Sequence, residues 1–429
     1  MKSFCLSIVC IGLQVAVVAC AAADDKFKVH SFDKLQLSDA FYCEGASFGD
    51  FDRDGVKDIV SGPYWYAGPS FTDRHELYDP KTYDVKNFSD SFFAFPHDVN
   101  MDGWTDIVMV GFPGKEAWWF NNPQGKPGHW ERHLILDVVD GESPMLADLT
   151  GDDKPELICD HDGCVGYAEQ AAGGPTQPWK FHPISEDRKY QRFTHGMGVG
   201  DVNQDGRLDV IQKEGWWEQP PAGSGDRLWK FHEVDFAVDR DPKGRQRGAQ
   251  MYTVDFDGDG DNDIVTSKNA HGFGLAWFEN TGKEGDEVKF QEHMIMGTQP
   301  EDNEYGLVFS GLHAIAVADI DHDGVLDFVT GRRGSPTVPS VLYWFQTKRD
   351  GGTVHFVPHR VDATSGVGTQ VVVGDLNGDN WDDIVVGNKR GTFVFTHQVK
   401  DVGREQWEAA QPKREKGHPA KPAAKKDAT

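Results

Sequence analysis

Cysteine is scarce in this chain, and long apolar runs are scarcer. Six cysteines occur in 429 residues, and three of them (Cys5, Cys10, Cys20) fall within the first 23. The other three, Cys43, Cys159 and Cys164, are too few to staple a chain of this length, which excludes a disulfide scaffold. Cys159 and Cys164 are spaced to clip one hairpin, leaving Cys43 over; three free thiols fit the sequence equally. Beyond the N-terminus no stretch is long and apolar enough to span a bilayer. Positive charge is also short: 43 Lys plus Arg face 69 acids, a net charge of −26. A nucleic-acid partner is excluded, because a polyanion is repelled at long range by such a surface. No phosphate-binding loop and no H-E-x-x-H string appears, so nucleotide and zinc-protease classes lose their signatures.

The one apolar run lies between Phe4 and Val18, after Lys2 and before Ala19-Cys20-Ala21-Ala22-Ala23. A positive start, a short apolar centre and small residues at the cut describe a secretory signal peptide over residues 1–23, hence a secreted or periplasmic protein. The string Val17-Val18-Ala19-Cys20 offers a lipid anchor through Cys20 as the alternative. Residues 24–398 form the folded region. The end of the chain differs: Gln411 to Thr429 holds six Lys or Arg, two acids and three prolines. Residues 399–429 are therefore expected to be a disordered basic tail.

What the chain has in abundance is acid in phase. A pattern with carboxylates at positions 1, 5 and 9 and Asp, Asn or Thr at position 3 recurs seven times. The copies are Asp50, Asp52, Asp54, Asp58; Asp98, Asn100, Asp102, Asp106; Asp148, Thr150, Asp152, Glu156; and Asp201, Asn203, Asp205, Asp209. The last three are Asp255, Asp257, Asp259, Asp263; Asp319, Asp321, Asp323, Asp327; and Asp375, Asn377, Asp379, Asp383. Their starts lie 48, 50, 53, 54, 64 and 56 residues apart. Carboxylates packed this densely repel one another unless a cation sits among them, and hard oxygen donors suit Ca²⁺. The expectation is up to seven Ca²⁺ sites, the third weakest because Thr150 replaces a carboxylate. Position 6 needs a left-handed turn: it is glycine in five copies, Asp153 and Asn380 in the other two.

These loops are not EF-hands. Position 12 is Ser61, Thr266, Thr330 or Val386 in four copies rather than glutamate, and the flanks, such as Ile384-Val385-Val386, are β-type. Each loop therefore joins two strands. An aromatic strand follows, as in Tyr64-Trp65-Tyr66, Trp118-Trp119-Phe120 and Tyr343-Trp344-Phe345. A more polar strand then carries one histidine per unit: His30, His75, His133, His182, His232, His293 and His359. These histidines are expected to be structural. His30 precedes the first loop and no such strand follows the last unit, so the N-terminal strand must complete the last unit. The expected fold is an all-β, seven-bladed β-propeller of four-stranded antiparallel blades, closed by the N-terminal strand.

The units resemble FG-GAP, or VCBS-type, repeats, as in Val199-Gly-Asp201-Val-Asn-Gln-Asp205-Gly206-Arg-Leu-Asp209-Val and Val373-Gly-Asp375-Leu-Asn-Gly-Asp379. The resemblance covers nearly all of the mature chain. It implies a Ca²⁺-bound propeller and includes integrin-type heads, lectin-like modules and sugar-active lyases or dehydratases, so it does not fix the function.

Chemistry is expected at the opposite face, where the innermost strands begin. Counting six residues back from each first aspartate gives Glu44, Phe92, Glu142, His195, Ala249, His313 and Thr369. Gln250 and Gln370 follow one residue later. Connections from second to third strands add Lys213, Lys268, His271, Arg332, Arg333 and Lys389, with Trp216 as an aromatic platform. A cationic, amide-rich ring with aromatic faces suits an anionic or polyhydroxylated ligand. Two functions fit. One is a binding module for carbohydrate or another exported protein. The other is a sugar-active lyase or dehydratase in which His195 or His313 takes a proton, Glu44 or Glu142 assists, and a cation holds the oxyanion. A His–Glu ring also suits a catalytic metal.

Overall fold

A computed structural model describes residues 26–224, 228–237 and 248–414. The leader expected over residues 1–23 lies outside them, as does the chain beyond residue 414. The described residues divide into two compact units, 26–29 with 399–411, and 30–398 with 412–414.

In the smaller unit, the ring of Phe27 packs 5.1 Å from that of Trp407, Arg404 lies over Phe27, and Lys26 approaches Asp401. A helix spans Arg404–Ala410 and the strand Gly391–Val402 runs up to it. The expected disorder from residue 399 is thus overturned for this stretch. Trp407 supplies an apolar anchor that the charge of the tail conceals.

The larger unit is built almost wholly of antiparallel sheet and is β-propeller-like. Among the described residues, three sheets have four strands, one has seven and one has eight. The first runs in chain order through Ala46–Gly49, Asp58–Ser61, Tyr64–Ala67 and Asp73–Glu76. In the seven-stranded sheet, Glu131–Ala147 is long enough to serve as the outer strand of one group and the first strand of the next. In the eight-stranded sheet two groups join by a parallel pairing of Met197–Gly200 with Gln250–Val254. The N-terminal strand Phe27–Ser38 lies outermost on the last sheet, beside Gly391–Val402. There His30 Nδ1 meets His397 Nε2 at 3.0 Å.

Each acidic loop joins the first strand of a group to the second, and the register is the same throughout. The residue before position 1 pairs with position 9: Gly49 with Asp58, His97 with Asp106, Gly200 with Asp209, Gly374 with Asp383. Position 6 is left-handed as expected, including Asp153 at φ 65° and Asn380 at φ 66°. Position 4 is left-handed too, even where Arg53, Met101, Gln204 and His322 occupy it. The loop holds that strain because the position-9 carboxyl is buried and gathers amides on both oxygens. Asp106 accepts Val99 N–H at 3.0 Å and Asn122 N–H at 2.7 Å; Asp209 accepts Val202 and Gln219 N–H.

Apolar side chains from facing sheets fill the space between groups. Phe51, Val60 and Trp65 of the first, for example, pack with Ala94, Ile107, Met109 and Phe120 of the next. The outer-strand histidines are structural, as expected. His232 stacks on Trp216 at 4.0 Å, His75 on Trp65 at 4.1 Å, and His293 and His359 on Trp277 and Trp344. The three described cysteines are free. Cys159 faces Gly166 and lies in the core, whereas Cys164 faces His161, so the register keeps the two thiols from clipping the hairpin.

One of these histidines gives the fold an acid dependence. Burial, with help from nearby Lys348 and His30, pushes His359 down to about 3, while its Nε2 faces Gln346 Oε1. Unfolding restores an ordinary imidazole near 6.5, so the unfolded chain binds the extra proton. Stability from this group is complete above about pH 6.5 and falls as pH drops toward 3. Urea midpoints should therefore fall between pH 7 and pH 5, and His359→Gln should flatten that slope. An unchanged slope in the variant would assign the acid sensitivity to other groups.

Candidate functional site

The seven positions ahead of the first strands are all buried, and they divide by chemistry. Glu142, His195 and His313 converge, and His271, from the loop between Asp263–Ser267 and Leu275–Glu284, joins them. One donor atom from each of the four lies within 4.8 Å of the others. His195 Nε2 faces Glu142 Oε2 at 3.1 Å, and His313 Nε2 faces His271 Nε2 at 3.3 Å. Local backbone aims them. Gly141, at φ 85°, turns the strand just before Glu142, and Gly311, at φ 80°, sets the carbonyl that His313 Nδ1 reaches at 3.3 Å. His195 Nδ1 is likewise anchored on Phe193 O at 2.9 Å.

Beside this cluster lies a second one. Glu44, fully buried, meets Arg333 Nη2 at 2.8 Å and Lys389 Nζ at 3.8 Å. Burial alone would push Glu142 up, but His195, Arg333 and His271 together hold it below the usual carboxylate range. His313 is driven well below the ordinary imidazole value by burial, with Arg333 and His271 adding to it. The same burial pushes His271 down to about 4, so the floor sets a buried carboxylate and guanidinium beside two imidazoles, His313 and His271, that resist protonation.

Aromatic rings border that floor. Phe88 is 44% exposed and lies 5.3 Å from Phe112, which is 6.0 Å from Phe193. Arg333 and Lys389 both approach the ring of Phe88. Scattered phenylalanines in three separate loops carry no motif, so only their common position at the starts of first strands and in second-to-third connections marks them in the sequence.

Other expected contact residues are differently placed. Gln250 and Gln370 are buried, and their amides bridge backbone: Gln250 takes Ile315 N–H and gives to Thr369 O, while Gln370 takes Ala94 N–H and gives to Ala94 O. Trp216 is 1% exposed and stacked on His232, so it offers no face to a ligand. Its side of the strand packs inward with Ile211 and Met251, which turns the indole into the core. Lys213 is paired to Glu214 at 2.8 Å beside buried Asp160, whose carboxyl is pushed up to about 8 by burial and pulled back by Lys213. Lys268 is paired to Glu292 at 2.9 Å, Lys389 also donates to Val85 O and Asn87 O, and Arg332 is half-buried. Ala249, Phe92 and Thr369 bring no reactive group. A G-x-S-x-G string, Gly45 to Gly49, lies along the strand Ala46–Gly49 with Ser47 buried, and is not a nucleophile turn.

At the acidic loops, carboxylate oxygens gather within 4.8 Å in three copies: Asp50, Asp52 and Asp58; Asp255, Asp257 and Asp259; Asp319, Asp321 and Asp323. This all-oxygen donor set fits a hard divalent cation. In the second and fourth loops an amide does part of that work: Asn100 donates to Asp102 at 3.0 Å and Asn203 to Asp205 at 3.1 Å. In the fourth, Arg207 also pairs with Asp205.

Family comparison matches an FG-GAP-like repeat at residues 98–159 and 255–330, and an FG-GAP repeat at 367–404. The chain carries FG-GAP-like repeats. Each matched stretch contains at least one acidic loop with its flanking strands, so the FG-GAP repeat and the strand–loop–strand unit coincide here. No curated protein matches the chain. Among solved structures, an Agrocybe aegerita lectin specific for non-reducing terminal N-acetylglucosamine is 18% identical, over 82% of this chain and 84% of that one, at a TM-score of 0.45. The V. cholerae biofilm matrix protein Bap1 is 10% identical over 83% and 88%, at 0.41. The rhamnogalacturonan lyase YesW is 13% identical over 86% and 72%, at 0.39.

Proposed function

We propose that the chain is an exported, calcium-stabilised β-propeller of seven blades that binds carbohydrate on the face opposite its acidic loops. Seven blades follow if the seven-stranded sheet is two blades sharing Glu131–Ala147 and the eight-stranded sheet is two blades joined at their inner strands. The observation that carries the binding role is the aromatic border, Phe88, Phe112 and Phe193, set against a polar, mixed-charge floor. Aromatic faces take the apolar side of a sugar ring, while Arg333, Glu44 and the imidazoles meet its hydroxyls or a carboxylate.

The pairing of Glu142 with His195 favours a second function at the same place: elimination from a sugar, with an imidazole taking a proton next to a carbonyl or carboxylate and Arg333 facing the developing oxyanion. One experiment addresses both. A panel of neutral and uronate-containing oligosaccharides is titrated by calorimetry, and the mixtures are then read by mass spectrometry and ultraviolet absorbance. Binding that Phe88→Ala weakens at least tenfold, with the sugar recovered intact, supports the binding module. An unsaturated product supports elimination. No binding by any sugar, or binding unchanged in Phe88→Ala, overturns the role of this face.

A further inference from the structure

The His–Glu cluster has a geometry that sugar binding does not require. His195 and His313 each direct Nδ1 at a backbone carbonyl, Phe193 O at 2.9 Å and Gly311 O at 3.3 Å. In a neutral ring that places the proton on Nδ1 and the lone pair on Nε2. The Nε2 lone pair of His195 then faces the Glu142 carboxylate 3.1 Å away, and that of His313 faces His271 Nε2 3.3 Å away. A proton on Glu142, or the Nε2–H tautomer of His271, would satisfy either contact by itself, but gives no reason for the two pairs to share one centre. A metal ion does.

We propose that Glu142, His195, His271 and His313 form a binding site for one divalent first-row transition-metal ion, of the zinc or cobalt kind. Four donors at ordinary Zn–N and Zn–O distances of ~2.0–2.1 Å around a tetrahedral ion stand about 3.3 Å apart. The two measured edges, 3.1 and 3.3 Å, match that spacing, and all four atoms lie within 4.8 Å of one another. Three imidazoles with one carboxylate select such an ion over Ca²⁺ or Mg²⁺, which take oxygen. The two carbonyls on Nδ1 are what a ligating histidine uses to fix its ring and tautomer. Glu142, His195 and His313 are buried, while His271 is exposed, which leaves a way in from solvent. This site stands apart from the acidic loops in donor chemistry and does not depend on whether the face binds sugar.

The test uses the full chain, stripped of transition metals and kept in excess Ca²⁺ so that oxygen-donor loops are filled. Titration with Co²⁺ should give intense visible d–d absorption that saturates at one equivalent and is abolished by one equivalent of Zn²⁺. His271→Ala, at an exposed position, should weaken Co²⁺ binding at least tenfold with an unchanged near-ultraviolet circular dichroism spectrum; His313→Gln and Glu142→Gln should do the same. No such absorption in the parent protein, or absorption of equal strength and affinity in His271→Ala, overturns the site. Sugar binding is read separately through Phe88, so failure of either leaves the other intact.

Discussion

Asp106→Ala should destabilise the protein by about 2–6 kcal/mol, because it strands two buried amides that each cost about 1–3 kcal/mol without a partner. The amides are Val99 N–H and Asn122 N–H, held by the two oxygens of one carboxylate. Asp102→Ala, at the exposed fifth position of the same loop, is the comparison: its partners, Trp104 N–H and the Asn100 and Gln124 amides, can turn to water, so without Ca²⁺ it should cost no more than about 1 kcal/mol. Urea unfolding with an unchanged m-value reads both effects. Equal losses for the two variants in calcium-free buffer would mean that the ninth position is no more than another acid. The same construction recurs at Asp209, Asp263 and Asp383, so the loop, the start of the second strand and the far end of the third are fastened by one side chain at many points of the molecule.

Removing calcium should have a larger effect still. An ion held by the native chain at a hundred times its dissociation constant contributes about 2.7 kcal/mol, so three occupied loops would contribute on the order of 8 kcal/mol. The loops are those beginning at Asp50, Asp255 and Asp319. A calcium chelator should lower the melting temperature markedly, and added Ca²⁺ should restore it. Asp257→Asn should remove part of the response. A transition that stays in place when the chelator is added would refute calcium at these turns.

Much of this architecture is legible in the sequence because its signals repeat in phase. One acidic loop is an ordinary solvated turn, but recurrence at blade-length intervals locates the strand pairs, and the surplus histidine strand at His30 places the N-terminus on the last sheet. What sequence could not separate is which acids stay at the loop surface and which are buried against backbone amides. Position 9 looks like positions 1, 3 and 5 in composition, and only its pairing opposite the residue before the loop buries it. The same ambiguity affects the opposite face. Counting back from each loop finds Glu142, His195 and His313, because strand register is periodic. It cannot say that Gln250 and Gln370 turn inward to backbone amides, nor that Trp216 faces the core, since those outcomes depend on which side of a strand packs against its neighbour. His271 and Arg333 lie in connections whose lengths vary, so their approach to the cluster is set by loop conformation rather than by spacing.

His30 and His397 meet although they stand 367 positions apart in the chain. A contact that remote forms late, because nearly the whole polypeptide must be synthesised and the loop-closure entropy met before it can be made. Until then the strand Gly391–Val402 has no outer neighbour, and the last sheet keeps a raw edge open to pairing with another molecule. Once made, the clasp joins the beginning and end of the larger unit, so that pulling on either terminus loads the same seam.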